Sequence, residues 1–73
     1  MPTLRYVVAE ESSVKIALCD ATGATVLTLL DGERREAGSY TLAFDASKLA
    51  AGTYFVHVAA GAQRVVKPLV IAR

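Results

Sequence analysis

Apolar residues recur at every second position along most of the chain, and this period is the feature that most restricts its fold. Between residues 14 and 19, large aliphatic side chains alternate with Lys, Ala and Cys, as in a strand with one buried face. We therefore expect Val14, Ile16 and Leu18 to lie in the core and Lys15 to lie in water. Similar strands are predicted at residues 4–8, 40–44, 53–59 and 64–71.

Turn signals separate these strands at intervals of roughly ten residues, which is typical of an all-β sandwich of about six to seven short strands. Residues 10–13 are predicted to form a polar turn, residues 20–23 a tight turn and residues 60–63 a hairpin turn. Residues 45–52 are expected to form a connector with at most one helical turn, anchored by Leu49. Pro68 should lie on an edge strand or at a bulge, because it has no N–H to donate.

The middle of the chain is less regular. Residues 24–30 are predicted to form a strand with Val26 and either Leu27 or Leu29 facing inward, and the broken alternation allows a bulge there. Residues 31–38 carry five charged residues and two glycines, so we expect a solvated loop. A helix over residues 32–37 is a weaker alternative, since it would have no apolar face to pack.

With 73 residues, the chain is long enough for one domain, and we expect residues 1–73 to form it. Such a core supplies only about 3–5 kcal/mol of stability without a disulfide or a metal. Cys19 is the single cysteine and His57 the single histidine, so an internal disulfide is excluded and a zinc site would need carboxylates. The formal net charge of +1 argues against nucleic acid as a partner.

No apolar run reaches the length of a transmembrane helix, and the longest are about strand length. Residues 1–3 lead directly into a strand-like segment, so no signal peptide is expected in this stretch. Export of the protein would then require a signal located elsewhere.

The residues that could carry chemistry have simpler structural interpretations. His57 lies in the middle of a predicted strand, with no orienting partner or nucleophile indicated nearby. Cys19 ends a strand next to Asp20, which would not favour a thiolate. Asp31, Glu33 and Glu36 lack the ligand spacing of a calcium loop, and the arginines between them would repel a cation. We therefore expect that the domain is not an enzyme and that it binds no cofactor and no metal.

The order of motifs is more specific than the composition. After residues 4–8 come Val14–Gly23, then Val26–Leu29, Ala37–Tyr40 and Leu42–Asp45, the spacing Leu49-x-x-Gly52-x-Tyr54, and finally Lys67–Arg73. Taken together, from about Thr3 to Arg73, this order resembles the type A C-terminal sorting domains of the type IX secretion system of Bacteroidetes-like bacteria. It is also similar to the immunoglobulin-like domain of the flagellar hook-capping protein. The basic and apolar C-terminus favours the sorting domain. Pro68 within the last strand and Phe44, where the family often has Trp, depart from its pattern.

The resemblance implies an immunoglobulin-like antiparallel sandwich that acts as a non-catalytic sorting signal. Its cargo would be an N-terminal domain, exported through the periplasm by the outer-membrane secretion machinery and released or held at the cell surface, often after cleavage by a sortase-like peptidase. The structural motif residues would be Gly23, Gly38, Asp45, Leu49, Gly52 and Tyr54.

Recognition by the secretion machinery is expected at the C-terminal strand, through Lys67, Leu69, Val70, Ile71 and Arg73. The alternative function is a structural immunoglobulin-like module in a larger extracellular or flagellar hook-capping protein. An exposed strand at residues 64–71 can also pair with the edge of another chain. A strand-mediated homodimer is one arrangement that this strand allows.

Overall fold

A computed structural model describes residues 3–47 and 49–72 of the chain. Its described residues form six strands and no helix. The strands are β1 (Thr3–Val8), β2 (Ser12–Cys19), β3 (Thr25–Arg35), β4 (Gly38–Ala43), β5 (Gly52–Ala60) and β6 (Gln63–Ile71). The part of the chain that the model describes therefore contains no helix long and apolar enough to cross a membrane.

The strands form two antiparallel sheets. One sheet is the pair β1-β4, and the other has the order β3-β2-β5-β6. This arrangement corresponds to the B–E pair and the C′–C–F–G sheet of immunoglobulin-like sandwiches. The predicted all-β sandwich is thus confirmed, with β3 and β6 at the edges of the larger sheet.

The core lies between the two sheets. Val14, Ile16 and Leu18 of β2 are completely buried, and Lys15 is exposed, as the alternation predicts. The remaining core cluster comes from the inward faces of the other strands and from the segment after β4: Leu4, Tyr6, Val8, Leu30, Phe44, Tyr54, Val56, Val58 and Ile71. Two strands cannot cover four, so the inner faces of β3 and β6 are only partly covered.

The prediction of a loop at residues 31–38 is wrong, because most of this segment belongs to strands. β3 continues through Arg35, and its pairs Ser12↔Arg35 and Ser13↔Arg34 also replace part of the polar turn expected at residues 10–13. Backbone pairing needs no apolar side chain, so polar composition did not prevent a strand here. An ion pair of 3.1 Å between Arg34 and Glu11 joins β3 to the β1–β2 turn.

Strand β3 accommodates three irregularities in its register with β2. Val26, Leu29 and Gly32 are the residues left without a partner in the register, which confirms the bulge that the broken alternation allowed. The inward orientation expected for Val26 is wrong: its side chain is 39% exposed, whereas Leu27 and Leu29 pack against the core and Leu30 is buried. Each extra residue changes which side chains of β3 face the core. A strict period of two therefore does not predict their orientation.

The turn between β2 and β3 follows the predicted chemistry. The Asp20 carboxylate accepts hydrogen bonds from the Thr22 hydroxyl, at 2.6 Å, and from the backbone N–H groups of Thr22 and Ala24, at 2.9 and 3.1 Å. Led by the Thr22 hydroxyl bond, these contacts lower the pKa of Asp20 below its usual value. Gly23 closes this turn with a φ of +92°, which L-residues adopt only with strain.

Candidate recognition surface

Strand β6 carries the residues expected to be recognised, and the fold divides them into two groups. Ile71 is buried and Leu69 is half-buried, and both pack on the core side of the sheet. Lys67 and Val70 are exposed. Arg73 lies outside the described residues.

The β5–β6 hairpin fixes which side chains accompany Val70 at the surface. A two-residue turn, Gly61-Ala62, joins the strands, with Gly61 at a φ of +60° as in a type II′ turn. The pairs Thr53↔Val70, Phe55↔Pro68 and His57↔Val66 follow from this turn. Paired side chains point to the same face of a sheet. The face opposite the core therefore presents Thr53 and, next to it, five neighbouring residues that we call the hairpin face: Phe55, His57, Val66, Pro68 and Val70.

The hairpin face is apolar and largely open to solvent. Val66 and Val70 are 54% and 69% exposed, and Pro68 is also exposed. Phe55 is half-buried between its neighbours on the adjacent strands, Cys19 and Pro68. The face continues into β2 through Cys19 and Ala17, so it is not limited to the C-terminal strand.

Charge is distributed unevenly along the chain. All seven Asp and Glu residues lie at or before Asp45. After Asp45 every formally charged residue is a cation: Lys48, Arg64, Lys67 and Arg73. Arg64 and Lys67 are both exposed on β6, and Lys67 borders a shallow groove beside Arg5 and Thr41 of the smaller sheet. The hairpin therefore combines open apolar surface with positive charge only.

The structural motif before β5 explains how this hairpin is held. Leu49 packs against the core, and its N–H donates to the Ala46 carbonyl at 3.0 Å, which closes one turn of the connector. Asp45 accepts a 2.9 Å hydrogen bond from the Ser47 N–H, and this bond lowers the pKa of Asp45. Buried Tyr54 donates its hydroxyl proton to the Ala50 carbonyl at 2.6 Å. This bond back to the upstream chain is the tyrosine corner of immunoglobulin-like domains.

Gly38 and Gly52 open β4 and β5, each with a φ of +154°. A Cβ at Gly52 would meet no atom within 4 Å, so the backbone conformation, and not close packing, is what glycine provides there.

The residues considered for catalysis or metal binding within the strands lie on β5, β2 and β3 of the larger sheet. His57 is exposed on the hairpin face. Cys19 is buried, with its Sγ atom 3.8 Å from the Thr25 hydroxyl oxygen. Asp31 and Glu33 lie on exposed β3, with Glu33 bonded to Arg35 at 2.7 Å. Among residues 3–47 and 49–72, no group of three His, Cys, Asp or Glu side chains could hold a metal ion.

Sequence reasoning missed that Phe55 and His57 of β5 and Val66 of β6 share the exposed face that carries Val70. The sequence contained the information needed to place them, since a two-residue hairpin turn and a period of two together determine which residues of the two strands pair. The segregation of acidic residues from the C-terminal segment was equally visible in the sequence.

A family model described as a secretion system C-terminal sorting domain matches residues 3–72, nearly the whole chain. No curated protein and no solved structure matches the chain significantly.

Proposed function

The chain belongs to the family of type IX secretion C-terminal sorting domains, and from this premise we propose that residues 1–73 act as one domain that directs an attached cargo through the outer-membrane secretion machinery. A sorting signal of this kind implies export to the cell surface or secretion. The cargo would precede the domain in the chain, would reach the machinery from the periplasm and would be separated from the domain by a sortase-like peptidase. The domain itself would do no catalysis.

The observation that supports this proposal most directly is the family match over residues 3–72. The structure adds a physical reason for a folded domain to act as a sorting signal. Strand β6 is an edge strand whose inner residues, Leu69 and Ile71, pack against the core and hold it in register. Lys67 and Val70 are presented at the surface of the same strand. We assign contact with the machinery to these two residues and positioning of the strand to Leu69 and Ile71.

A reporter enzyme fused to the N-terminus of the domain tests this function in a type IX-competent host. We expect the reporter outside the cell or on its surface, and in the periplasm when residues 67–73 are deleted. A secretion-deficient strain of the same host controls for leakage. Periplasmic retention of the intact fusion would contradict the proposed function.

The alternative, a structural module of a larger extracellular or flagellar hook-capping protein, is favoured only by the immunoglobulin-like strand order. The place of the domain in its parent polypeptide separates the two functions. A sorting signal lies at the extreme C-terminus, after an exported domain. An assembly module lies between other parts of its protein.

A further inference from the structure

The hairpin face is an unpartnered surface that the fold does not require to be apolar. Single exposed valines are common on protein surfaces. Here Val66 and Val70 lie on the same face of one edge strand, with Pro68 between them and Phe55 and His57 beside them. Such a continuous apolar face is characteristic of a surface that another molecule covers.

Charge restricts what could cover this face. Arg64 lies on this face near the hairpin turn, where it pairs with Ala59, whereas Lys67 pairs with buried Val56 and points to the opposite side of the sheet. The sequence contains no Asp or Glu after Asp45 that could neutralise Arg64 within the hairpin. A partner surface with carboxylates beside an apolar centre would complement both the apolar residues and Arg64. Anionic membranes usually attract clusters of four to eight basic residues. One cation beside an apolar face therefore fits an acidic protein surface better than a lipid surface.

Pro68 indicates how the partner would approach. Bonded and non-bonded pairs alternate along an antiparallel ladder. Counting from Ala60↔Gln63, which closes the two-residue turn, Phe55↔Pro68 is a non-bonded pair. The position of the missing N–H of Pro68 therefore faces the free edge of β6, where an added strand would need a donor. Proline at such a position opposes the addition of another strand.

We infer that the hairpin face, with Arg64 at its turn end, docks through its side chains onto an apolar protein surface that carries carboxylates opposite Arg64, and that it does so without adding a strand to the edge of β6. This inference rests on the proposed function, because it identifies the chemistry by which the secretion machinery reads the domain. It extends the recognition surface from the C-terminal strand to β5.

The experiment uses the reporter fusion in the competent host. The double variant Val66→Ser, Val70→Ser removes apolar surface from the face. Val7→Ser is its matched control, since Val7 is 70% exposed on β1 in the other sheet. Arg64→Glu and its control Arg5→Glu test the charge in the same way, because both arginines are exposed strand residues. Thermal melting of each purified domain establishes that the variants remain folded.

We expect the valine pair and Arg64→Glu each to reduce the exported fraction about ten-fold, and the two control variants to export like the unaltered fusion. Equal export by the valine pair and Val7→Ser overturns the inference and leaves the proposed function intact. Periplasmic retention of the unaltered fusion instead removes the proposed function and this inference with it.

Two measurements on the purified domain test whether the hairpin face binds something other than an acidic protein surface. Sedimentation tests for a second copy, and flotation with vesicles of phosphatidylcholine and phosphatidylglycerol tests for a lipid surface. Self-association or vesicle binding that the valine pair abolishes would overturn the inference. A monomer that does not float with the vesicles supports it.

Discussion

The Tyr54 hydroxyl lies 2.6 Å from the Ala50 carbonyl oxygen, to which it donates a hydrogen bond across the bend that leads into β5. Tyr54 is buried, and its ring belongs to the core cluster, so this bond links the connector to the sheet that carries the hairpin face. The spacing from Leu49 to Tyr54 thus corresponds to a physical unit: an apolar anchor, a glycine with positive φ and a tyrosine that bonds back to the chain.

Replacing Tyr54 with Phe should remove this bond and preserve the ring. We expect the free energy of unfolding to fall by about 1 kcal/mol, which lowers the melting temperature of a domain of this size by roughly 4–8 °C. Calorimetry measures the change. Tyr40→Phe is the control, because Tyr40 also bonds a backbone carbonyl, that of Glu36, but in an exposed setting. A larger loss of stability for Tyr40→Phe than for Tyr54→Phe would contradict the importance of the Tyr54 hydrogen bond.

Ile16→Ala should come close to unfolding the domain. Ile16 is completely buried and is paired with Leu30 on one side and Val58 on the other. The cavity left by such a truncation costs about 2–5 kcal/mol, which is comparable to the roughly 3–5 kcal/mol that a core of this size supplies. Urea titration followed by circular dichroism measures the loss. Val7→Ala, at an exposed strand position, should change stability by less than about 0.5 kcal/mol.

Acid should destabilise the domain partly through Asp20 and Asp45. Hydrogen bonds from Thr22 and Ser47, respectively, lower the pKa of each carboxyl in the folded state below its value of 3.8. This contribution is therefore complete above the unfolded pKa and is lost as pH falls through the folded pKa. The urea concentration at the midpoint of unfolding should therefore decrease when the pH is lowered below about 4. Asp20→Asn should weaken this dependence on pH.

Thr22→Val is the companion variant for the acid experiment. It removes the hydroxyl bond that is the largest cause of the Asp20 shift, but it leaves the carboxylate in place. An acid dependence that is unchanged in both variants would show that the Asp20 turn does not contribute to it.

Pro68→Val should promote association between copies of the domain. The substitution restores an N–H at the free edge of β6, where a neighbouring strand could accept it. We expect the unaltered domain to sediment as a monomer and the variant to form oligomers as concentration rises. Val66→Thr, on the same face but without a change in backbone donors, is the control. Equal association of Pro68→Val and the unaltered domain would refute the protective role of Pro68.

Three features were predictable from the order of the residues: the alternation of Val14, Ile16 and Leu18, the Asp20 turn and the two-residue hairpin. These features depend on local chemistry, because the period of two and the turn residues act within a few positions of one another. The family resemblance likewise followed from the order of the motifs.

The course of β3, in contrast, depends on its neighbours in the folded domain. Asp31, Glu33, Arg34 and Arg35 join the sheet because residues 12–15 of β2 offer them a partner strand. Val26 turns outward because extra residues interrupt the register with β2. Tertiary structure also decided that Ile71 is buried while Val70 is exposed, and that Phe55 and His57 lie beside Val66. These outcomes depend on which strands become neighbours, and local propensity does not contain that information.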